Sequence, residues 1–269
     1  MDLEFQGKVA LITGAGQGVG REIARVLAAE GASVVVNDFY KERAGAVASE
    51  ISKTGGRALG IQCDVTDRDH VKTMISKAVE AFGPMDILIN NAGVPVQVRS
   101  GEMKRTYFVD IDPANWRKDI DLSFYGCLNC THSVLPSMIE RKEGRIINII
   151  SEAGRMGDPN LSVYSGAKGG VLAFSKALAR EVGQYRIGVN CVALGATAHE
   201  GLKGSLSLDA KPETDQMLQK VLKSYPIGMG LGRIGRPWDV AYAVVFLASP
   251  KACFITGQCL GVNGGFAMI

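Results

Sequence analysis

Short runs of β-branched and aliphatic residues alternate with longer stretches of helical period along most of the chain. The run Val9–Ile12 is followed by a helical stretch over 21–30, the run 33–36 by one over Lys41–Lys53, and the run 58–62 by one from Asp67 to Phe82 that leads to the apolar run 86–89. Strands that are apolar almost without interruption are buried on both faces, so this β-α rhythm predicts a parallel sheet covered by helices on either side. Asp112 followed by Pro113 opens a long helix as its cap and first helical residue, and that helix is expected to run through Trp116 towards Glu140. A strand over 145–150, a helix over 164–182 and a strand over 186–192 follow. From 195 to 235 the chain becomes rich in Gly, Ser and Lys, with one helical patch near 215–223, and reads as a substrate flap over a cleft. Pro237 starts another helix and 258–262 supplies a last strand. There is no internal repeat, and no apolar run is long enough to cross a membrane.

With 269 residues and 46% apolar side chains, the chain has material for one continuous core, so a single domain spanning 1–269 is expected. Thirty basic against 27 acidic groups leave a net charge of +3, and no dense Lys/Arg run marks a nucleic-acid surface. The opening Met1-Asp2-Leu3-Glu4-Phe5 has neither a basic leader nor an apolar one, which suggests a cytoplasmic protein. Six cysteines, at 63, 127, 130, 191, 253 and 259, sit in apolar surroundings and read as unpaired thiols. Cys127 and Cys130 lack a second pair to complete a ligand set, so no metal is expected.

Chemistry enters directly after the first strand, where Thr13-Gly14-Ala15-Gly16-Gln17-Gly18-Val19-Gly20 leads into a helix. Glycines there allow a tight turn and let a pyrophosphate approach amides at a helix N-terminus, where the macrodipole favours negative charge. Gly14, Gln17, Gly18 and Val19 are the candidate contacts. The spacing is G-x-x-x-G-x-G, and a purely structural turn is the plain alternative. Asp38 ends the second strand, where an acidic side chain accepts hydrogen bonds from adenosine ribose hydroxyls and repels a 2′-phosphate, which favours NAD over NADP. Its competing role is a cap for the helix at Lys41, with Lys41 or Arg43 receiving a phosphate instead. Tyr164 and Lys168, four apart, share one helix face. A tyrosine of ordinary pKa, about 10, is a poor base at neutral pH, but a nearby ammonium lowers that value, so the pair makes a proton donor and acceptor. Such pairs are common in amphipathic helices. This one gains weight from Ser151, which ends the preceding strand on the carboxyl side of the sheet, where its hydroxyl can hold a reacting oxygen.

Together with Asp64-Val65, Asn90-Asn91-Ala92-Gly93, Tyr164-Ser165-Gly166-Ala167-Lys168, and Gly257 with Val262-Asn263-Gly264-Gly265, these motifs make the chain resemble the short-chain dehydrogenase/reductase family from Gly7 to Gly265. The resemblance implies a doubly wound α/β (Rossmann) sheet of about seven parallel strands in the order 3-2-1-4-5-6-7, and a homotetramer built on two-fold axes. It also implies that Asp64 and Val65 lie at the adenine, that Asn91 and Gly93 line the dinucleotide, and that Lys168 holds the nicotinamide ribose. Gly195 and Thr197 would meet the cofactor after the sixth strand. Three places depart from the family pattern. Ser123 stands where a helix asparagine normally anchors a relay water through its backbone, and its hydroxyl is expected to bond a carbonyl one turn back and keep the helix widened. Leu194-Gly195 and His199 stand for a Pro-Gly and the threonine four residues beyond it. The stretch 94–111 is long and carries Arg99, Lys104 and Arg105, read as a solvated loop ahead of an anion contact.

The expectation is an NAD-dependent oxidoreductase that interconverts a secondary alcohol and a ketone, with Tyr164 moving the proton and Ser151, Lys168 and Ser123 completing the catalytic set. Leu202, Leu206, Met217, Leu218 and Met229 within 195–235 suit a bulky apolar or hydroxyacyl-CoA substrate, or simply pack a helix. Two alternatives stay open. One is an NADPH-consuming ketone or acyl-thioester reductase; the other is a nucleotide-binding regulator with a decayed site.

Overall fold

The computed structural model describes residues 2–93, 106–200 and 204–269; Arg99, Lys104, Arg105 and Leu202 lie outside the described residues. Strands β1 (Val9–Ile12), β2 (Ser33–Asp38), β3 (Arg57–Gln62), β4 (Ile87–Asn90), β5 (Gly144–Ser151), β6 (Ile187–Leu194) and β7 (Cys259–Val262) form one parallel sheet. Their order, β3-β2-β1-β4-β5-β6-β7, is the doubly wound order that the resemblance implied. The helices in chain order are α1 (Gly18–Ala29), α2 (Lys41–Lys53), α3 (Arg68–Phe82), α4 (Trp116–Ile120), α5 (Gly126–Arg141), α6 (Ala153–Met156), α7 (Ser162–Val182), α8 (Gln216–Leu222), α9 (Pro226–Leu231) and α10 (Pro237–Ala248).

The two-residue alternation of a strand accounts for the continuous apolar runs. Ala10, Ile12, Val34, Val36, Ile87, Ile89, Ile147 and Ile149 face a core shared with α1, α2 and α10. Val9, Leu11, Val35, Leu88, Ile146 and Val189 face the opposite core, shared with α3, α5 and α7. Burial of each valine, leucine or isoleucine among them contributes roughly 1.5–3 kcal/mol, so a polar residue on either face of a central strand would be costly. No helix among the described residues is long and apolar enough to cross a membrane.

The register aligns the carboxyl ends where ligands gather in open α/β sheets: Ile12 pairs with both Val36 and Ile89, Asn90 with Asn148, and Ser151 with Leu194. The chain leaves β1 towards β2 and β3, then crosses back to β4, so the crevice between β1 and β4 is a topological switch point.

Two segments differ from the sequence reading. The single helix expected from Pro113 to Glu140 is interrupted. A 3₁₀ turn (Pro113–Asn115), capped by Asp112 Oδ1 accepting from the Ala114 amide at 2.9 Å, leads into α4, and a π-helical stretch Asp121–Tyr125 separates α4 from α5. A π turn holds one more residue than an α turn, and periodicity does not register one extra residue. The segment 195–235 holds α9 as well as α8, and a bridge between Thr197 and Gly235 ties its ends. Leu218 is buried with Leu222, Ala198 and Ile234 in a small cluster, whereas Met217 and Met229 are exposed.

Candidate active site

The glycine-rich turn between β1 and α1 is stitched to the end of β4. Thr13 Oγ1 accepts from the Asn91 and Ala92 amides at 3.0 and 3.1 Å, while Asn91 Nδ2 donates to the carbonyls of Thr13 and Gly14 at 2.9 and 3.1 Å. Gly14 and Gly18 adopt φ of 61° and 58°, which L side chains rarely take. At Gly20 a Cβ would lie 2.5 Å from Asn91 Nδ2 and 2.7 Å from the Gly14 carbonyl, so the close approach of turn and helix requires glycine. Gln17 precedes α1 without offering a side-chain cap, which leaves the first amides of the helix to other acceptors. Glu200 takes one of them: its Oε1 accepts from the Gly18 amide at 3.0 Å. A carboxylate there stands in for a phosphate oxygen, and the fit of an anion to the α1 N-terminus is visible in the protein's own side chains.

Asp38 is buried, with Oδ2 accepting from the Gly16 amide at 3.1 Å and Oδ1 from the Tyr40 amide at 3.0 Å. It does not cap α2, whose N-cap, Tyr40, forms no side-chain bond. The neighbouring Arg43 guanidinium lies over the Tyr40 ring, 4.4 Å from its centroid. Asp64 and Val65 follow β3. Asp64 Oδ1 accepts from the Thr66 amide and hydroxyl, and the Val65 carbonyl accepts from Asn129 Nδ2 at 3.0 Å.

Ser151 ends β5, and its Oγ accepts from the Ala153 amide at 3.2 Å. Tyr164 and Lys168 stand one turn apart on α7, the ammonium 5.9 Å from the phenol ring centroid. Lys168 is buried and donates to the Ile149 carbonyl at 2.8 Å; burial pushes its pKa down from 10.5 to about 8. A Cβ on Gly93 would lie 2.5 Å from Lys168 Nζ, so the end of the Asn90–Gly93 motif forms one wall around the ammonium.

Ser123 lies within the π-helical stretch, so the helix is widened there as expected, but the bond expected of its hydroxyl is corrected. Oγ donates to the carbonyl of Gly93 at 2.9 Å and not to a carbonyl one turn back. The widened turn aims the hydroxyl across to the loop after β4, a contact between residues 30 apart that local patterns do not reveal.

A cavity of about 240 Å³ opens at the switch point. Gly14, Gln17, Gly18, Val19, Asn91, Gly93, Ser151, Tyr164, Lys168, Gly195 and Thr197, all candidates from sequence, share its wall. Leu194 and His199 join them, whereas Asp38, Asp64, Val65 and Ser123 lie outside that wall. The contribution of Glu200 was not legible, because nothing in a glycine-rich stretch signals a bond to an amide 182 residues away. Tyr225 is a second such residue: its hydroxyl accepts from the Ala196 amide at 3.0 Å, and its ring leaves no space for a Cβ at Gly195. The Val262–Gly265 motif has a structural part, since Asn263 Nδ2 donates to the buried Glu152 at 2.7 Å, directly behind Ser151.

The family described as short chain dehydrogenase matches residues 8–208. A 3-oxoacyl-[acyl-carrier-protein] reductase of Staphylococcus epidermidis is 40% identical over 262 residues, covering 97% of this chain and 99% of that protein. The (2S)-[(R)-hydroxy(phenyl)methyl]succinyl-CoA dehydrogenase subunit of Thauera aromatica is 39% identical over 261 residues, 97% of each chain. A solved structure of a 7α-hydroxysteroid dehydrogenase complexed with NADH and 7-oxo glycochenodeoxycholic acid superposes with a TM-score of 0.85 at 34% identity, covering 98% of this chain and 96% of that one.

Proposed function

This chain belongs to the short chain dehydrogenase family, oxidoreductases of CH–OH groups that depend on a nicotinamide nucleotide, and from that premise we propose that it interconverts a secondary alcohol and a ketone with NAD. The observation that carries the proposal is the shared wall of one cavity, where Ser151, Tyr164 and Lys168 meet the glycine-rich turn and Asn91. When bound, the nicotinamide supplies the acceptor or donor of the hydride. Ser151 holds the substrate oxygen and stabilises the charge that develops on it. Tyr164 gives or takes the proton. Lys168, still cationic at neutral pH with its pKa about 8, favours the phenolate form of Tyr164 through its charge. Ser123 is a positioning residue that holds Gly93 against the ammonium.

NAD is favoured by Asp38, whose buried carboxylate is anchored by two amides and would face a 2′-phosphate as a fixed like charge. A second reading, an NADPH-consuming 3-oxoacyl-thioester reductase, draws on the reductase among the relatives and on Arg43 beside Asp38. Titration with NADH and NADPH separates the two. Tighter NADH binding is expected, and tighter NADPH binding would overturn the NAD assignment.

We infer a bulky apolar or hydroxyacyl-thioester substrate, with 195–235 acting as its flap; Met217 and Met229 expose apolar surface there, and the Thauera relative carries a succinyl-CoA substrate in its name. Screening secondary alcohols and hydroxyacyl thioesters with NAD, followed by NADH absorbance, tests this. Turnover of small hydrophilic alcohols alone would overturn it. A homo-oligomer, a tetramer by family resemblance, is supported by the exposed stripe Trp238, Tyr242 and Phe246 on α10.

A further inference from the structure

The N-terminus of α1 is already engaged by the protein itself. Glu200 Oε1 accepts from the Gly18 amide at 3.0 Å and from Arg21 Nη1 at 3.2 Å, and Arg21 is held on its other side by Glu50 at 2.7 Å. Burial alone would raise the Glu200 carboxyl, but the Gly18 amide, its own amide and Arg21 together outweigh it and hold it below its ordinary value. His199, the preceding residue, stands against Gly18, with Cβ 3.3 Å from where a Gly18 Cβ would lie. The amide has one hydrogen and serves one anion at a time. An anion at a helix N-terminus also gains from the macrodipole, so Glu200 holds a place that favours phosphate for the same reason.

We propose that Glu200 is an internal competitor of the dinucleotide pyrophosphate, and that cofactor binding expels it from Gly18 and shifts the 199–200 stretch of the flap. The inference rests on the dinucleotide reading of the cavity. The chain before this stretch is anchored: Ala196 donates its amide to Tyr225, and the Ala198 amide donates to the Gly235 carbonyl at 2.8 Å. Rotation just beyond Ala198 can therefore release Glu200 without disturbing Gly195 and Thr197 in the cavity wall. The nucleotide-free protein thus keeps its anion site satisfied, and its apparent affinity is reduced to the intrinsic affinity multiplied by the fraction of time the site stands open.

Fluorescence titration with NADH tests this on Glu200→Gln, which keeps the side-chain size and removes the charge, and on Glu200→Ala. Glu200→Ala should bind NADH roughly tenfold more tightly, as expected if the contact is made about nine times in ten, and Glu200→Gln, which loses the charge but keeps an oxygen that can accept from Gly18, should gain less. Inorganic pyrophosphate, followed by calorimetry, should bind both variants more tightly than the parent protein. Thermal unfolding gives a readout independent of affinity: Glu200→Ala should lower the melting temperature of the nucleotide-free protein and leave that of the NADH-saturated protein nearly unchanged. Unchanged or weaker NADH binding in both variants overturns the competitor role while leaving the dinucleotide reading intact. Failure of the parent protein and both variants to bind NADH or NADPH overturns the dinucleotide reading, and this inference with it.

Discussion

Lys168 carries an ammonium through a fully buried position, and that burial has a measurable signature. Its pKa is about 8 in the folded chain against an ordinary 10.5, so between those values the unfolded chain binds more protons. The contribution of Lys168 to stability is therefore present above the unfolded value and is lost as pH falls through about 8; the size of the effect is on the order of 3 kcal/mol. Denaturant unfolding of the parent protein and of Lys168→Met should show the parent gaining on the variant between about pH 8 and pH 10.5. A constant difference would mean that the ammonium is better solvated than its surroundings imply. Tyr164 has a different signature. Tyr164→Phe removes only the hydroxyl, so turnover should fall by ~10²–10⁴-fold while NADH affinity is kept. Turnover close to that of the parent would remove Tyr164 from the proton step.

The element that matters most to the site is the π-helical stretch Asp121–Tyr125 between α4 and α5. Its extra residue lets a buried serine reach the Gly93 carbonyl, and Gly93 in turn borders the Lys168 ammonium. Ser123→Ala should leave the helix intact, because alanine is the better helix former, and should leave the Gly93 carbonyl without its partner. A single lost hydrogen bond is worth about 1 kcal/mol, which as misplacement of Lys168 corresponds to roughly a fivefold fall in kcat. The pH–rate profile should shift as well, which a purely structural role would not cause; unaltered kcat and profile would leave Ser123 as a packing residue. Gly93→Ala acts on the same contact from the other side. A Cβ 2.5 Å from Lys168 Nζ must displace the ammonium, so activity should be lost even where the protein folds.

For the whole molecule, cofactor binding and folding are linked. A ligand that binds only the folded chain stabilises it by about 2.7 kcal/mol at one hundred times its dissociation constant, so saturating NADH should raise the melting temperature, and NADPH at equal concentration should raise it less. Asp38→Ala should narrow that gap. It should also weaken NADH itself, because the same carboxylate holds the Gly16 amide of the glycine-rich turn. An unchanged gap would assign the preference to another residue. In assembly, Tyr242 is 64% exposed at the centre of the α10 stripe, and Tyr242→Glu should reduce the sedimenting mass if that face joins copies of the chain.

The seven strands, the glycine-rich turn and the Tyr164–Lys168 pair were legible because each rests on a short-range pattern, whereas the doubly wound order and the places of Asn91, Gly93, Gly195 and Thr197 were implied only by the family resemblance. Two-sided burial gives continuous apolar runs, a turn at a helix N-terminus needs glycine at set places, and Tyr164 and Lys168 share a helix face through a spacing of four. What the tertiary structure alone decided are the contacts between distant parts of the chain. Ser123 bonds to Gly93, Glu200 occupies the Gly18 amide, Asp38 holds Gly16, and Tyr225 supports Ala196. Each is one hydrogen bond worth about 1 kcal/mol or somewhat more, too little to impose a periodicity or a composition on the sequence. Their geometry exists only once the hydrophobic burial of whole strands and helices has brought the partners within reach.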